Sequence, residues 1–195
     1  MKYIFFLLLL CSSLFCISQN SYKHEKEERI EKQLFPQNAL ELLDKTLPKK
    51  IKKVKYYKEQ DSAKISYESK LKYNSKKYSI EFSEEGLLED VEITIKQKEI
   101  PSKTFEKIKK YLYGKYTSFR IKKIQRQYRN TTNTDAETIV KEAFSETKTG
   151  THFYEIIAEV KTEKERYFIE ITFTKDGDFE LSRTIIQGSY DHILY

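Results

Sequence analysis

Cysteine is almost missing from this chain, and its two copies, Cys11 and Cys16, both fall in the first residues. If that segment is removed, the remainder has no disulfide, no thiol nucleophile and no cysteine metal site. Glycine is scarce too: five scattered copies exclude a glycine-rich phosphate loop. The three histidines, His24, His152 and His192, lie far apart, and none has a second histidine one helical turn away. That argues against a zinc site. There is no G-x-S-x-G and no recognisable serine–base pair. Paired carboxylates occur at Glu84-Glu85 and at Asp176 and Asp178, but in turn-like contexts rather than across a cleft. Asp176-Gly177-Asp178 also lacks the later acidic ligand of an EF-hand. The reading is of a protein that is not an enzyme, with no cofactor and no metal.

Tryptophan is absent, yet the chain has 15 tyrosines and 12 phenylalanines, for which β-rich structure is the natural use. The only long apolar run is at the start, "MKYIFFLLLLCSSLFCISQN". One lysine, a short apolar stretch and a close in small residues make the layout of a signal peptide, too short for a spanning helix. Residues 1–18 are assigned to it, with cleavage after Ser18. Anchoring as a lipoprotein through Cys11 or Cys16 is the weaker alternative, since bulky Leu10 and Phe15 precede those cysteines. The expected localisation is exported, periplasmic or extracellular, with no transmembrane segment in the mature chain. The formal charge of +6 comes from interspersed signs, as in "KHEKEERIEKQ". Such mixing marks a solvated surface and not a nucleic-acid footprint.

Residues 19–34 are charged with little apolar period and read as a linker. Then the chain repeats itself. Phe35-Pro36 opens a helix with Leu40, Leu43 and Leu47 on one stripe; Ile100-Pro101 opens another with Phe105, Ile108 and Leu112. "IKKVKYYK" from Ile51 is answered by "IKKIQRQY" from Ile121, and "IEFSEEG" from Ile80 by "ITFTKDG" from Ile171. Alternation marks the strands, as in Tyr78, Ile80 and Phe82 against Ser79, Glu81 and Ser83. The expected fold is α+β: two helix-plus-four-strand antiparallel repeats, 35–96 and 97–187, forming a continuous sheet with the helices on one face. The second repeat carries an inserted helix near 135–145, and 188–195 form a tail.

These paired motifs resemble the PepSY-like family of exported bacterial proteins, grouped with the fold of the β-lactamase inhibitor protein. The carriers are Pro36 and Pro101, Ile51–Val54 and Ile121–Ile124, Phe82 and Phe173, Gly86 and Gly177. The resemblance spans most of 35–186; the insertion and the missing tryptophan depart from it. It implies a tandem repeat and a non-catalytic module that grips a protein or peptide through the open sheet face, as an inhibitor of an envelope or secreted enzyme does. By phase, that face carries Tyr57, Phe153, Ile157 and Phe168 amid charged residues, and exposed apolar groups on such a face mark interaction sites. Three outcomes stay open: the inserted helix covers the patch, a partner or second copy does, or the phase is off by one. The alternative function is a structural or accessory envelope protein that associates with an anionic surface or with itself.

Overall fold

A computed structural model describes residues 21–130, 135–145 and 152–186. The expected signal peptide, the tail with His192, and parts of the insertion lie outside the described residues. The chain runs through β1 (Ser21–Lys23), β2 (Glu25–Ile30), α1 (Gln37–Thr46), β3 (Val54–Asp61), β4 (Lys64–Tyr73), β5 (Lys76–Ser83) and β6 (Leu88–Thr94). It continues with α2 (Ser102–Lys115), β7 (Ser118–Arg129), α3 (Ala136–Ser145), β8 (Phe153–Lys161), β9 (Arg166–Thr174) and β10 (Phe179–Ile185). Among the described residues no helix is long and apolar enough to cross a membrane.

The strands form one sheet in the order β1-β10-β9-β8-β7-β6-β5-β4-β3-β2. Its two outermost strands are therefore consecutive in the chain, with only His24 between them. β1 lies parallel to β10, pairing Lys23 with Ile185, and β2 lies antiparallel to β3, pairing Glu25 with Asp61. One continuous segment binds both edges, so the sheet must roll up and nearly close like a barrel. The main-chain amide of His24 donates to Asp61 Oδ1 at 3.0 Å, fastening the crossing point.

Two expectations fall here. The segment 19–34 is not a charged linker: residues 21–30 are the strands that close the barrel. The pair of helix-plus-four-strand repeats in an open sheet is overturned as well, because ten strands nearly close on themselves and three helices pack outside them. Closure removes the two outer edges of the sheet and the open wet face on which that expectation depended.

The hydrophobic core lies outside the barrel, between sheet and helices. Leu43 of α1 and Ile108 and Leu112 of α2 are fully buried against outward-facing Ile80, Phe82, Ile93, Ile156, Ile171 and Phe173. α3 joins the same layer rather than covering the opposite face. Its Ile139, Val140 and Ala143 are buried, and Phe144 stacks on Tyr78 with centroids 4.5 Å apart. Asp135 caps it, accepting from the Thr138 amide at 3.0 Å.

Pro36 and Pro101 directly precede α1 and α2 in the same extended conformation, φ −56° and −54°. Each helix start rests on a hairpin glycine. Gly86 has φ +79°, and a Cβ there would sit 2.8 Å from the Pro36 Cβ; Gly177 has φ +83°, and a Cβ would sit 2.8 Å from the Thr104 carbonyl oxygen. Both the conformation and the contact demand glycine. Gly86→Ala and Gly177→Ala should each lower stability by about 1–3 kcal/mol. Urea denaturation tests this; a loss near zero at either site would show that the helix can lift off its turn freely.

Candidate functional site

The inner face of the barrel is polar, because every second residue of β2 to β10 that points away from the helices is mostly charged or amidic. Glu59, Glu68, Asp90, Glu92, Glu155 and Glu170 are all buried there. The firmest contact is at Glu170, which accepts from Lys23 Nζ at 2.8 Å and from Arg183 Nη2 at 2.7 Å and Nε at 3.0 Å. Arg183 also reaches Asp61 Oδ2 at 3.1 Å. Burial alone would raise the Glu170 carboxyl, but the Lys23 and Arg183 charges outweigh it and hold it at about 2.

The remaining acids have too few cations. Burial, reinforced by the charge of Glu68, pushes Glu81 up to about 8. Burial and the neighbouring Glu81 push Glu92 up to about 7. Asp90 and Glu155 are raised by burial and surrounding carboxylates, and Glu59 by burial and its contact with Glu68. Glutamine amides answer part of the need: Gln127 Nε2 donates to Asp90 Oδ2 at 2.9 Å, and Gln125 Nε2 donates to Glu92. Glu27, Glu59 and Glu68 bring carboxylate oxygens within 4.8 Å of one another, the spacing of a cation site among the described residues. Lys70 Nζ bonds both Glu27 and Glu68, so an ammonium already supplies charge to that cluster.

Where β6 ends, the interior opens into a lysine-walled notch of about 1070 Å³. Lys50, Lys52, Lys53 and Lys55 line it on one side, Lys72 and Lys77 beside them, and Ile121, Lys122, Lys123 and Ile124 on the other. Its floor includes Leu71, Tyr78 and Ile95. Among the described residues no carboxylate lies within ion-pair distance of Lys50, Lys52, Lys53, Lys55 or Lys72, whereas Lys122 pairs with Glu159 at 3.1 Å.

The four residues expected to form a site do face away from the helices, but only Ile157 and Phe168 come together. Tyr57 lines the notch, half-buried with Lys70 Nζ 5.0 Å from its ring centroid. Ile157 is buried inside with Ile185, and Phe168 packs on that pair. Phe153 lies apart, under the Arg129 guanidinium at 4.3 Å. Sequence reasoning missed the buried acids and the notch. A signal for the notch was present in "IKKV" and "IKKI", whose lysines stand on its two walls. The two described histidines stay outside this chemistry: His24 is exposed, and His152 is buried beside the Tyr154 hydroxyl at 3.2 Å.

Comparison with known proteins reaches the fold. No protein-family model and no curated protein matches the sequence. Among solved structures, a Bacteroides eggerthii protein provisionally described as periplasmic superposes with TM-score 0.53 at 12% identity, over 80% of this chain and 94% of its own. A DUF2874 family protein from Bacteroides ovatus gives 0.52 at 11% identity, over 77% and 87%. A Bacteroides fragilis protein described as BLIP-like gives 0.49 at 11% identity, over 79% and 89%, too distant to carry an argument. The shared fold is that of DUF2874 proteins, and the PepSY-like resemblance with its tandem repeat is left without support.

The inner face generates two predictions. Below about pH 4.5 the Glu81 and Glu92 carboxyls are protonated whether the chain is folded or not. As pH rises, the unfolded chain releases protons that Glu92 and Glu81 keep until about 7 and about 8, so folding is progressively disfavoured across that window. Glu170 acts oppositely: its contribution is lost as pH falls from about 4.5 through about 2. The melting temperature should therefore peak near pH 4–5 and decline towards pH 8, and Glu81→Gln with Glu92→Gln should flatten that decline; an unchanged slope would rule these two out as its source. Second, Arg183→Met strips Glu170 of one of its two cations and should cost about 3 kcal/mol. Adding Glu170→Gln should recover part of this in the same denaturation assay, and no recovery would mean Arg183 acts through packing alone.

Proposed function

We propose that this is an exported, non-catalytic module that binds a protein or peptide partner through the lysine-walled notch of its barrel. One observation carries the reading: an open cavity of about 1070 Å³ in which Lys50, Lys52, Lys53, Lys55 and Lys72 have no ion-pair partner among the described residues, the Glu27 and Glu68 carboxylates of its lining being held by Lys70. Surface lysines are usually balanced nearby, and here the acids of the inner face already hold Lys23, Lys70 and Arg183. An uncompensated basic recess attracts an acidic partner and speeds its approach. Export is supported by the apolar run after Lys2 and by a fold shared with a protein provisionally described as periplasmic.

The binding face differs from the open sheet read from the sequence. Tyr57 stays in the site as part of the notch wall, while Ile157 and Phe168 serve the barrel's interior and Phe153 stacks on Arg129. Restraint of an envelope or secreted enzyme would follow if that enzyme presents an acidic segment to the notch.

The test compares the protein with a variant carrying Lys50→Glu, Lys52→Glu, Lys53→Glu and Lys55→Glu as bait for envelope and secreted fractions. Partner retention should fall at least tenfold in the variant and weaken between about 0.1 and 1 M salt as screening sets in. A partner retained equally by both baits would place binding elsewhere on the molecule.

A further inference from the structure

The notch exists because one strand stops early. β7 spans Ser118–Arg129, but β6 pairs only with its later half, Asp90 opposite Arg129 through Thr94 opposite Gln125. After Thr94 the chain turns away, its last tie here being the Ile95 amide donating to the Ile124 carbonyl at 3.0 Å. From Ser118 to Lys122, β7 is flanked by β8 on one side and, among the described residues, by no strand on the other. The pairing of β5 to β6 ends at Tyr78 opposite Ile93, and β5 itself starts at Lys76, level with Ile124, so β5 also stops short of this stretch of β7.

The cavity of about 1070 Å³ opens where β6 leaves β7, and Ile121 and Lys122 of the free stretch line it. An unpaired strand edge that borders an open cavity is the geometry of strand addition, in which main-chain hydrogen bonds supply affinity and side-chain pockets supply selectivity.

We infer that the notch takes an extended acidic peptide segment, which adds as a strand to the free edge of β7 between Ser118 and Lys122. This rests on the notch being the binding site, as proposed above. Charge fixes the class of peptide. Among the described residues Lys52, Lys53, Lys55 and Lys72 stand without ion-pair partners along the notch, and the acids that also line it, Glu27 and Glu68, are held by Lys70. Ile95 on the floor and Ile121 beside it supply apolar contact, so a segment alternating acidic and aliphatic residues places its acids towards the lysines and its aliphatic side chains towards these. An acyl chain would fill the same volume but leave the β7 main-chain groups unanswered, a cost a peptide avoids.

The probe is a synthetic peptide of about ten residues alternating glutamate and valine with blocked ends. Its binding should slow amide exchange at alternate residues between Ser118 and Lys122 by tenfold or more. A matched peptide, N-methylated at every second residue, keeps its charge and side chains but cannot donate along one edge; it should bind at least tenfold more weakly. The Lys53→Glu, Lys55→Glu variant should lose the unmodified peptide while keeping its circular dichroism spectrum. Equal binding of the N-methylated peptide would overturn strand addition and leave a purely electrostatic notch. Protection of the same amides by phosphatidylglycerol vesicles but not by peptide would overturn it in favour of a lipid. Failure of both peptides, together with unchanged partner capture by the four-lysine variant, would remove the notch reading as well.

Discussion

Arg183 ties the two ends of the sheet together. On its own side it donates to the Glu170 carboxylate of β9, which also receives Lys23 of β1, and across the seam it reaches Asp61 at the end of β3. An exposed ion pair in this position would contribute little, but Glu170 is almost wholly buried and accepts three charge-assisted bonds. Removing one partner leaves charge stranded in a poorly solvated place, which makes the cluster a latch on geometry more than a source of stability. With the latch closed, a face that an open sheet would leave in water becomes the wall of an interior.

That closure explains the unusual distribution of polarity. The apolar core sits between the sheet and its helices, where Phe82, Ile108, Ile156 and Phe173 meet. Inside the barrel the walls are carboxylates, amides and a few cations. Such an interior is stable only if its acids are paired, bonded to amides or protonated. Glu170 takes the first course, Asp90 adds a glutamine bond, and Glu81 and Glu92 keep protons near neutrality. The small apolar group of Ile157, Ile185 and Phe168 adjoins the Lys23 and Arg183 latch and lowers the local dielectric there.

Much of the outer layer was legible in the sequence. Pro36 and Pro101 marked helix starts, Gly86 and Gly177 marked turns, and the phase of Tyr78, Ile80 and Phe82 correctly separated two faces, since each signal depends on local conformation or on apolar contrast. Closure was illegible for the opposite reason. In "EKEERI" both faces of the strand are charged, because Glu25 and Glu27 turn to a polar interior while Lys26 and Glu28 turn to water. Hydropathy alternation reports a boundary between oil and water, and β2 separates two polar environments. A strand of this kind reads as a solvated linker until its partners are seen.

The same logic reaches the notch. Lysine is a costly neighbour for lysine, yet exposed ammonium groups near a barrel mouth are screened within a Debye length of about 8–10 Å, so the fold tolerates them without counter-ions of its own. What the fold does not supply there is a strand. β6 is seven residues long and β7 twelve, and the lysines of "IKKV" and "IKKI" gather where the shorter strand gives out. A missing strand leaves main-chain donors and acceptors without sheet partners, and uncompensated lysines leave positive charge without an answer. Both deficits fall at one place, and a single acidic, extended segment meets both.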